Sequence, residues 1–221
     1  ELPAYGPVIE PMSGLGAVMG YSATEPRNSA TALPDAVGGV TAAAAVVTAL
    51  NRRAETGVGS MVEVSLHEGS VSIYGDFLVE KQLGGDPKPI GNGHPSHSFS
   101  DLLRTRGDDE WIAISCRTDA QYEALKEIIP DGDSSGFDKH DLAARLQAAG
   151  IAAGPVNITP DILEDPQVLA RRFFVELERS DLVPTPFPGS PMVINGDVDH
   201  AEWHAAPRLG EHNREVLEDW L

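Results

Sequence analysis

The amino-acid sequence predicts an α/β fold. Segments with apolar residues at helical spacing are mixed with short segments in which apolar and polar residues alternate, as in strands. A Gly- and Pro-rich stretch at 83–98 interrupts this pattern, and the sequence contains no internal repeat. We therefore expect an α/β protein with antiparallel strands in its middle.

The first segment is predicted to be mostly helical. A short Gly-rich helix is expected at 9–21, and a polar loop follows at 24–34. An alanine-rich helix then covers 36–53, where its small residues favour a buried, closely packed position. Period-two alternation predicts a strand at 61–66, and an apolar face predicts a helix at 67–81.

The remaining elements follow from the same two periodicities. Thr118 and Gln121 have the spacing of a capping box at the start of a helix. The stretch 83–98 is long for a connection, and such loops are usually functional or act as linkers. The predicted strands lie at 99–106, 111–115, 150–157, 173–178 and 192–194, and the predicted helices at 119–129, 139–149, 166–171 and 210–221.

Composition limits the classes of function. With 16 basic and 34 acidic residues the net charge is −18, which disfavours nucleic acid and anionic membrane surfaces as partners. No segment is expected to approach the ~20 apolar residues of a membrane span. The first residues lack the basic and apolar regions of a secretory signal. The single cysteine, Cys116, fits a reducing compartment, so we expect a cytoplasmic protein.

Asp35 is the most informative carboxylate in the sequence. It precedes the alanine-rich helix, where a carboxylate lies near the positive end of the helix dipole and near free backbone N–H groups. Gly38 and Gly39 follow one turn later, and their missing side chains would let another molecule approach the backbone. A nucleophile or an acid/base group would be useful there. The alternative is that Asp35 only caps the helix, because Asp is a preferred capping residue.

Motifs for several other chemistries are missing. The sequence has no Gly-x-Gly-x-x-Gly loop, no Walker A motif, no cysteine pair for zinc and no Gly-x-Ser-x-Gly elbow. His94 and His97 share a Pro-containing loop, but solvated or hydrogen-bonding histidines are expected there rather than a metal site. By itself, the run at 91–93 is a turn signal.

Taken together, the residues resemble the class III CoA-transferases, a family that includes formyl-CoA, carnitine and succinyl-CoA-dependent transferases and the 2-methylacyl-CoA racemases. The resemblance spans essentially the whole sequence, and the matching residues occur in the family's order. They are Glu10-x-Met12-Ser13-Gly14, Asp35-x-x-x-Gly39, Ala49-Leu50-x-x-Arg53, Thr56-Gly57-x-Gly59-Ser60, Val62-Glu63-Val64-Ser65-Leu66-His67-Glu68, Gly91-Asn92-x-His94-Pro95, Ala153-Gly154-Pro155-Val156, Asp165-Pro166-Gln167-x-x-x-Arg171, Ala206-Pro207-x-Leu209-Gly210-Glu211-His212 and Val216-Leu217.

The resemblance implies a fold and a set of domains. It implies the second half of a class III CoA-transferase, with part of a nucleotide-fold large domain and a small α+β domain in an interlocked dimer. In these terms, 1–82 is the large-domain segment with Asp35, 83–150 holds the glycine loop and the small domain, and 151–221 returns to the large domain. An N-terminal half supplying most CoA contacts would then belong to the active unit, so the implied assembly is a homodimer or a heteromer.

The resemblance also implies a site. Asp35 matches the catalytic aspartate, which attacks an acyl-CoA thioester and passes CoA to a carboxylic acid acceptor. Coenzyme A enters as part of the substrate, and neither another cofactor nor a metal is implied. The substrate-binding residues that the resemblance implies are Tyr5, Gly6, Glu10, Gly38, Gly39, Gly91, Asn92, Gly93 and His94.

Two alternatives remain open at the level of sequence. The racemases pair the aspartate with a histidine that would fall near Tyr5 or Gly6, and no histidine precedes His67. The other alternative is a catalytically inert half or module of a tandem or heteromeric CoA-transferase. Glu10 stands where many members carry Gln, so it is either a second functional carboxylate or a buried structural one.

Overall fold

The computed structural model describes residues 4–29, 31–179, 183–197 and 203–219. Two compact units, Glu1–Pro155 and Val156–Leu221, divide the chain. The mixed α/β class predicted from the sequence is confirmed. The helices are α1 (Gly6–Met12), α2 (Leu33–Thr56), α3 (Leu66–Ser72), α4 (Gly75–Gln82), α5 (Asp119–Ile128), α6 (Lys139–Ala148), α7 (Thr159–Glu164), α8 (Pro166–Ala170) and α9 (Asn213–Asp219), and the strands are β1 (Gly20–Ser22), β2 (Glu25–Pro26), β3 (Phe99–Arg104), β4 (Trp111–Cys116), β5 (Ala152–Pro155), β6 (Phe174–Leu177) and β7 (Thr185–Pro188).

The first unit opens with a cluster of three helices, α1, α2 and α3, which pack against one another. Glycines permit the close approach between α2 and α3. A Cβ added at Gly38 would overlap the side chain of Leu66, and a Cβ added at Gly69 would lie 3.5 Å from Val37. The neighbouring helix therefore restricts side-chain volume at Gly38, whereas a Cβ at Gly69 would make an ordinary van der Waals contact.

α2 begins before its predicted start. Its first residue is Leu33, and Asp35 lies within the first turn rather than at the cap. The cap is Ala32, which has a left-handed backbone conformation with φ 48° and no side-chain capping bond. The buried residues of α2, Pro34 and Gly38, both lie near its start, so the prediction of a buried, closely packed helix is wrong within this chain.

Among the described residues, α2 is the one helix long and apolar enough to cross a membrane. The expectation that no segment approaches that length is therefore wrong. Length and composition do not distinguish a membrane span from a helix that packs against protein. Val40, Val47 and Leu50 are exposed along this helix, so much of its apolar surface is uncovered in the isolated chain.

The predicted helix at 9–21 is divided into three pieces. α1 ends at Met12, a single 3₁₀ turn follows, and β1 then pairs with β2 in an antiparallel ladder. Gly14 stands between the two helical pieces with φ 92°, a conformation that ends a right-handed helix. Gly20 enters the ladder so closely that an added Cβ would overlap the carbonyl oxygen of Glu25.

The strand predicted at 61–66 does not form. The chain between α2 and α3 joins no ladder, because alternation produces a strand only where another strand supplies the hydrogen bonds. Ser65 instead caps α3, and its hydroxyl accepts a hydrogen bond from the N–H of Glu68 at 3.2 Å. The helix predicted at 67–81 is split into α3 and α4.

The predictions for residues 99–155 are confirmed in type and in approximate bounds. β3, β4 and β5 form an antiparallel sheet in that order. α5 and α6 cover one face of it, and the core between them includes Ile112, Ile114, Leu142 and Leu146. The Thr118 capping box forms as predicted.

The second unit is smaller. β6 and β7 form an antiparallel pair after α7 and α8. The strand predicted at 192–194 is wrong, because Ile194 makes only an isolated bridge with Asp197 and the partner of β6 is the unpredicted β7. The terminal helix predicted at 210–221 is observed as α9, and residues 220–221 lie outside the described part of the chain.

Candidate active site

Asp35 presents an exposed carboxylate in the first turn of α2. Its Oδ2 atom occupies the volume that a Cβ on Gly6 of α1 would fill. Its backbone N–H donates to the carbonyl of Ala32 at 3.0 Å, whereas no described residue donates a hydrogen bond to its carboxylate. Since Ala32 is the capping residue, capping does not account for Asp35. The carboxylate lies instead near the positive end of the helix dipole.

The buried residues of α1 are Gly6, Ile9 and Glu10. Gly6 and Glu10 lie one helical turn apart on the same face. Tyr5 precedes them as the N-cap of α1, and its side chain is 75% exposed. The structure therefore brings Gly6 to Asp35 and leaves Tyr5 directed largely to solvent.

Glu10 is 1% exposed, and one residue holds both of its carboxylate oxygens. The backbone N–H of Ser29 donates to Oε1, and the hydroxyl of Ser29 donates to Oε2 at 2.7 Å. Sequence reasoning missed Ser29, because a serine in a polar loop has no local pattern that reveals a partner 19 residues away.

Gly38 and Gly39 differ in what surrounds them. The space beside Gly38 is filled by the side chain of Leu66, so the room predicted there is occupied by protein. No atom lies within 4 Å of a Cβ built on Gly39, and this residue is exposed. Open space beside α2 is therefore available at Gly39, one turn after Asp35.

The loop at 83–98 follows α4 and leads into β3. Gly91 has φ 66°, its N–H donates to the carbonyl of Gly20 at 3.2 Å, and an added Cβ would lie 2.7 Å from the carbonyl oxygen of Tyr21. The side-chain amide of Asn92 donates to Asp101 Oδ1 at 3.0 Å. These contacts connect the loop with β1 and with β3 of the first unit.

His94 and His97 form a stacked pair in this loop, with ring centroids 3.9 Å apart. His97 Nδ1 is hydrogen-bonded with the hydroxyl of Ser115 on β4 at 2.7 Å. Desolvation lowers the pKa of His97, and the nearby charges of His94 and Arg117 lower it further. The neutral form of His97 is therefore favoured in the folded chain.

Apart from the exposed Tyr5, the predicted substrate-binding residues fall into two groups. One group lies in α1 and α2, the helices that hold Gly6 and Asp35 together. The other group lies in the loop at 83–98, and none of the contacts described above for that loop is with Asp35. Within the described residues, His, Cys, Asp and Glu side chains form no cluster of three or more that could hold a metal ion. The first group is Gly6, Glu10, Gly38 and Gly39, and the second is Gly91, Asn92, Gly93 and His94.

Comparison with known proteins identifies the family of this chain. A family model described as CoA-transferase family III matches residues 1–139 and 134–213. Succinate–glutarate CoA-transferase of Agrobacterium fabrum is 23% identical over 245 residues, covering 98% of this chain and 60% of the relative. The beta subunit of succinyl-CoA–L-malate CoA-transferase of Chloroflexus aurantiacus is 26% identical over 255 residues, covering 100% of this chain and 62% of the relative.

A solved structure has the same fold. The crystal structure of a CAIB/BAIF family protein from Brucella suis superimposes with a TM-score of 0.82 at 24% identity, covering 98% of this chain and 63% of that chain. The chain therefore spans about 60% of the length of the curated relatives that it matches.

Proposed function

Because this chain belongs to CoA-transferase family III, we propose that it takes part in the transfer of CoA from an acyl-CoA thioester to a carboxylic acid, with Asp35 as the nucleophile. The observation that carries the proposal is the exposed carboxylate of Asp35 in the first turn of α2. No described group holds this carboxylate by a hydrogen bond, so its oxygens are available for attack.

The reacting groups in the proposed reaction are the Asp35 carboxylate, an acyl-CoA donor and an acceptor carboxylic acid. A carboxylate oxygen of Asp35 attacks the thioester carbonyl carbon and the C–S bond breaks. CoA leaves as a thiolate, and the donor acyl group and Asp35 remain joined as a mixed anhydride. The thiolate attacks the Asp35 acyl carbon, which releases the donor acid and leaves an aspartyl-CoA thioester. The acceptor carboxylate attacks the carbonyl carbon of the aspartyl-CoA thioester, the C–S bond breaks, and CoA thiolate is released as a second anhydride forms. The thiolate then attacks the acceptor's acyl carbon, which gives the new acyl-CoA and regenerates the Asp35 carboxylate.

The surroundings of Asp35 support this chemistry. Negative charge that develops on the carbonyl oxygen would lie near the start of α2, where the helix dipole contributes about 0.3–1 kcal/mol to an exposed anion. Gly39 has no side chain, and no atom lies within 4 Å of the position that its Cβ would occupy. This open space leaves room for a thioester alongside the helix. Neither a metal nor a further cofactor is part of this proposal.

The proposal includes a second polypeptide segment. The relatives are longer than this chain, and the Chloroflexus relative is named as one subunit of its enzyme. Val40, Val47 and Leu50 on α2 are exposed by 74%, 57% and 46%. Exposed apolar surface of this kind is typical of an interface. We propose that a further segment, in the same protein or in another subunit, covers this surface and contributes to CoA binding.

Covalent trapping tests the chemistry. The 221-residue chain, together with any polypeptide that co-purifies with it from its source, is incubated with an acyl-CoA and treated with hydroxylamine or borohydride. We expect a mass change on Asp35 that is abolished in Asp35→Ala. Asp76→Ala is the matched control, because Asp76 is an exposed carboxylate in the first turn of α4.

The other outcomes distinguish the alternatives. No adduct, even with the co-purifying polypeptide present, would support an inert module. Exchange of the α-proton of a 2-methylacyl-CoA without CoA transfer would support a racemase. Sedimentation velocity and calorimetric titration with CoA test the assembly, and a well-behaved monomer that binds CoA tightly by itself would overturn the second-segment proposal.

A further inference from the structure

Glu10 is a buried acid that the proposed chemistry does not use. Its side chain is almost fully removed from solvent, and both oxygens are held by Ser29 rather than by a basic residue. An ionised carboxylate is costly to bury unless hydrogen bonds compensate for lost hydration. The arrangement therefore fixes Ser29 against α1 with two directional bonds, and neither can be lost without leaving a buried acceptor unsatisfied.

Ser29 transmits this restraint toward α2. Its hydroxyl oxygen accepts hydrogen bonds from the backbone N–H of Thr31 at 3.3 Å and from Thr31 Oγ1 at 3.0 Å. Ala32 then adopts the left-handed conformation that turns the chain into α2. The hydrogen bonds from Thr31 to Ser29 thus connect the Glu10 carboxylate with the start of the helix that carries Asp35.

α1 contacts the chain at two places, at Ser29 before α2 and at Asp35 in its first turn. Glu10 holds Ser29, and Gly6, one turn earlier on the same face, receives the carboxylate of Asp35 against its α-carbon. The position of Asp35 relative to α1 therefore depends on the Gly6 contact and on the Glu10–Ser29 bonds. Loss of the bonds would free the entry to α2 while leaving the contact surface of Gly6 intact.

We propose that Glu10 and Ser29 are positioning residues that fix the first turn of α2, and with it the attacking oxygen of Asp35. This inference rests on the proposed function, because it assigns the two residues a role in Asp35 chemistry. A displacement of a reacting group by about 1 Å is enough to reduce a rate by about 10²-fold. Neither residue touches the reacting atoms, so neither is a catalytic residue.

Variants at Ser29 separate positioning from folding. Ser29→Ala removes the hydroxyl bonds and keeps the backbone N–H, whereas Ser29→Thr keeps both donors. We expect Ser29→Ala and Glu10→Ala to reduce the rate of Asp35 acylation at saturating acyl-CoA by about tenfold or more, with little change in the half-saturating concentration. The conservative variants Ser29→Thr and Glu10→Gln should retain most of the wild-type rate of Asp35 acylation. Thr24→Ala, in the turn between β1 and β2, is the control and should behave as the wild type.

Hydrogen exchange provides a readout that does not depend on chemistry. In Ser29→Ala the amides of residues 31–37 should exchange faster, while those of β3 and β4 should be unchanged. Acylation of Ser29→Ala at the wild-type rate would overturn the inference, as would unchanged exchange at 31–37. Absence of an adduct in the wild type would instead overturn the proposed function, and hydrogen exchange would then decide whether the restraint exists.

Discussion

The carboxylate of Asp35 lies directly against the α-carbon of Gly6, in the volume that any larger residue at that position would need for its Cβ. The two residues belong to different helices and are far apart in the sequence. The contact explains why position 6 accommodates only hydrogen as a side chain, and it leaves position 6 without a group that could act on a substrate beside Asp35. A two-group mechanism using residue 6 is therefore not available to this chain.

Gly6→Ala should displace Asp35 because the new methyl group and the carboxylate cannot share one volume. We expect the rate of Asp35 acylation to fall by about tenfold or more, since catalytic geometry tolerates little displacement. The free energy of unfolding should fall by about 1–3 kcal/mol from overpacking. Mass spectrometry of the trapped adduct and urea unfolding measure the two effects. Gly75→Ala is the control, because Gly75 begins α4 with no atom near its Cβ position.

Gly38→Ala and Gly39→Ala should shift stability in opposite directions. The methyl group at residue 38 would overlap Leu66, so we expect a loss of about 1–3 kcal/mol in the free energy of unfolding. Residue 39 is open and helical, so alanine there should add about 0.5–1 kcal/mol through backbone propensity. Urea unfolding of the two variants, compared with wild type, tests the difference. Equal shifts would contradict the packing described for α2 and α3.

The ion pair between Lys139 Nζ and Glu110 Oε2 spans 2.6 Å, with side-chain exposures of only 6% and 26%. Glu110→Ala should therefore destabilise the first unit by about 3–5 kcal/mol, because it leaves a buried ammonium without this partner. The exposed pair Lys126–Glu123 provides the control, and Glu123→Ala should cost no more than about 1 kcal/mol. Thermal unfolding monitored by circular dichroism distinguishes them. Similar losses in the two variants would show that burial is not the deciding factor.

His97 should make the loop at 83–98 sensitive to acid. Its pKa is lowered in the folded chain, so folding favours the neutral ring. The resulting stabilisation is complete above the ordinary histidine pKa of about 6.5 and is lost as the pH falls through the lowered value. Proton NMR of the ring should give a midpoint below that of free histidine, and amides at 91–98 should exchange faster in acid than expected from intrinsic rates. Ser115→Ala should weaken this protection at neutral pH, and a midpoint at or above the ordinary value would contradict the prediction.

Where the sequence pattern and the tertiary contacts agree, prediction succeeded. β3, β4 and the capped start of α5 were predictable because hairpin alternation and the Thr118–Gln121 spacing are local signals. The segment 61–66 has equally clear alternation and yet forms no strand. Met61 is 91% exposed, and no described strand lies alongside to complete a ladder. A β-strand forms only where a second strand pairs with it, so the alternation within one segment is not enough to predict it.

The candidate site was predictable only in part. Ordered matches to a family single out Asp35 from the sequence, but they do not reveal what touches it. The contact with Gly6 and the bonds between Glu10 and Ser29 join residues that no periodicity relates. The beginning of α2 was also misplaced, because Ala32 in a left-handed conformation is an uncommon helix cap. Whether the loop residues Gly91–His94 act at this site stays a prediction.

The exposure of most of α2 has a chemical consequence for the intermediates proposed on Asp35. Thr41, Thr48 and Thr56 each turn their hydroxyl back to a carbonyl of the same helix, at 2.8 Å, so the hydroxyls are occupied within the helix. Asp35 is exposed at the start of the helix, so the proposed anhydride on Asp35 would be open to hydrolysis unless the proposed further segment excluded water. Under the proposed function, covering of the helix would therefore favour transfer of CoA to an acid over hydrolysis of the acyl-CoA.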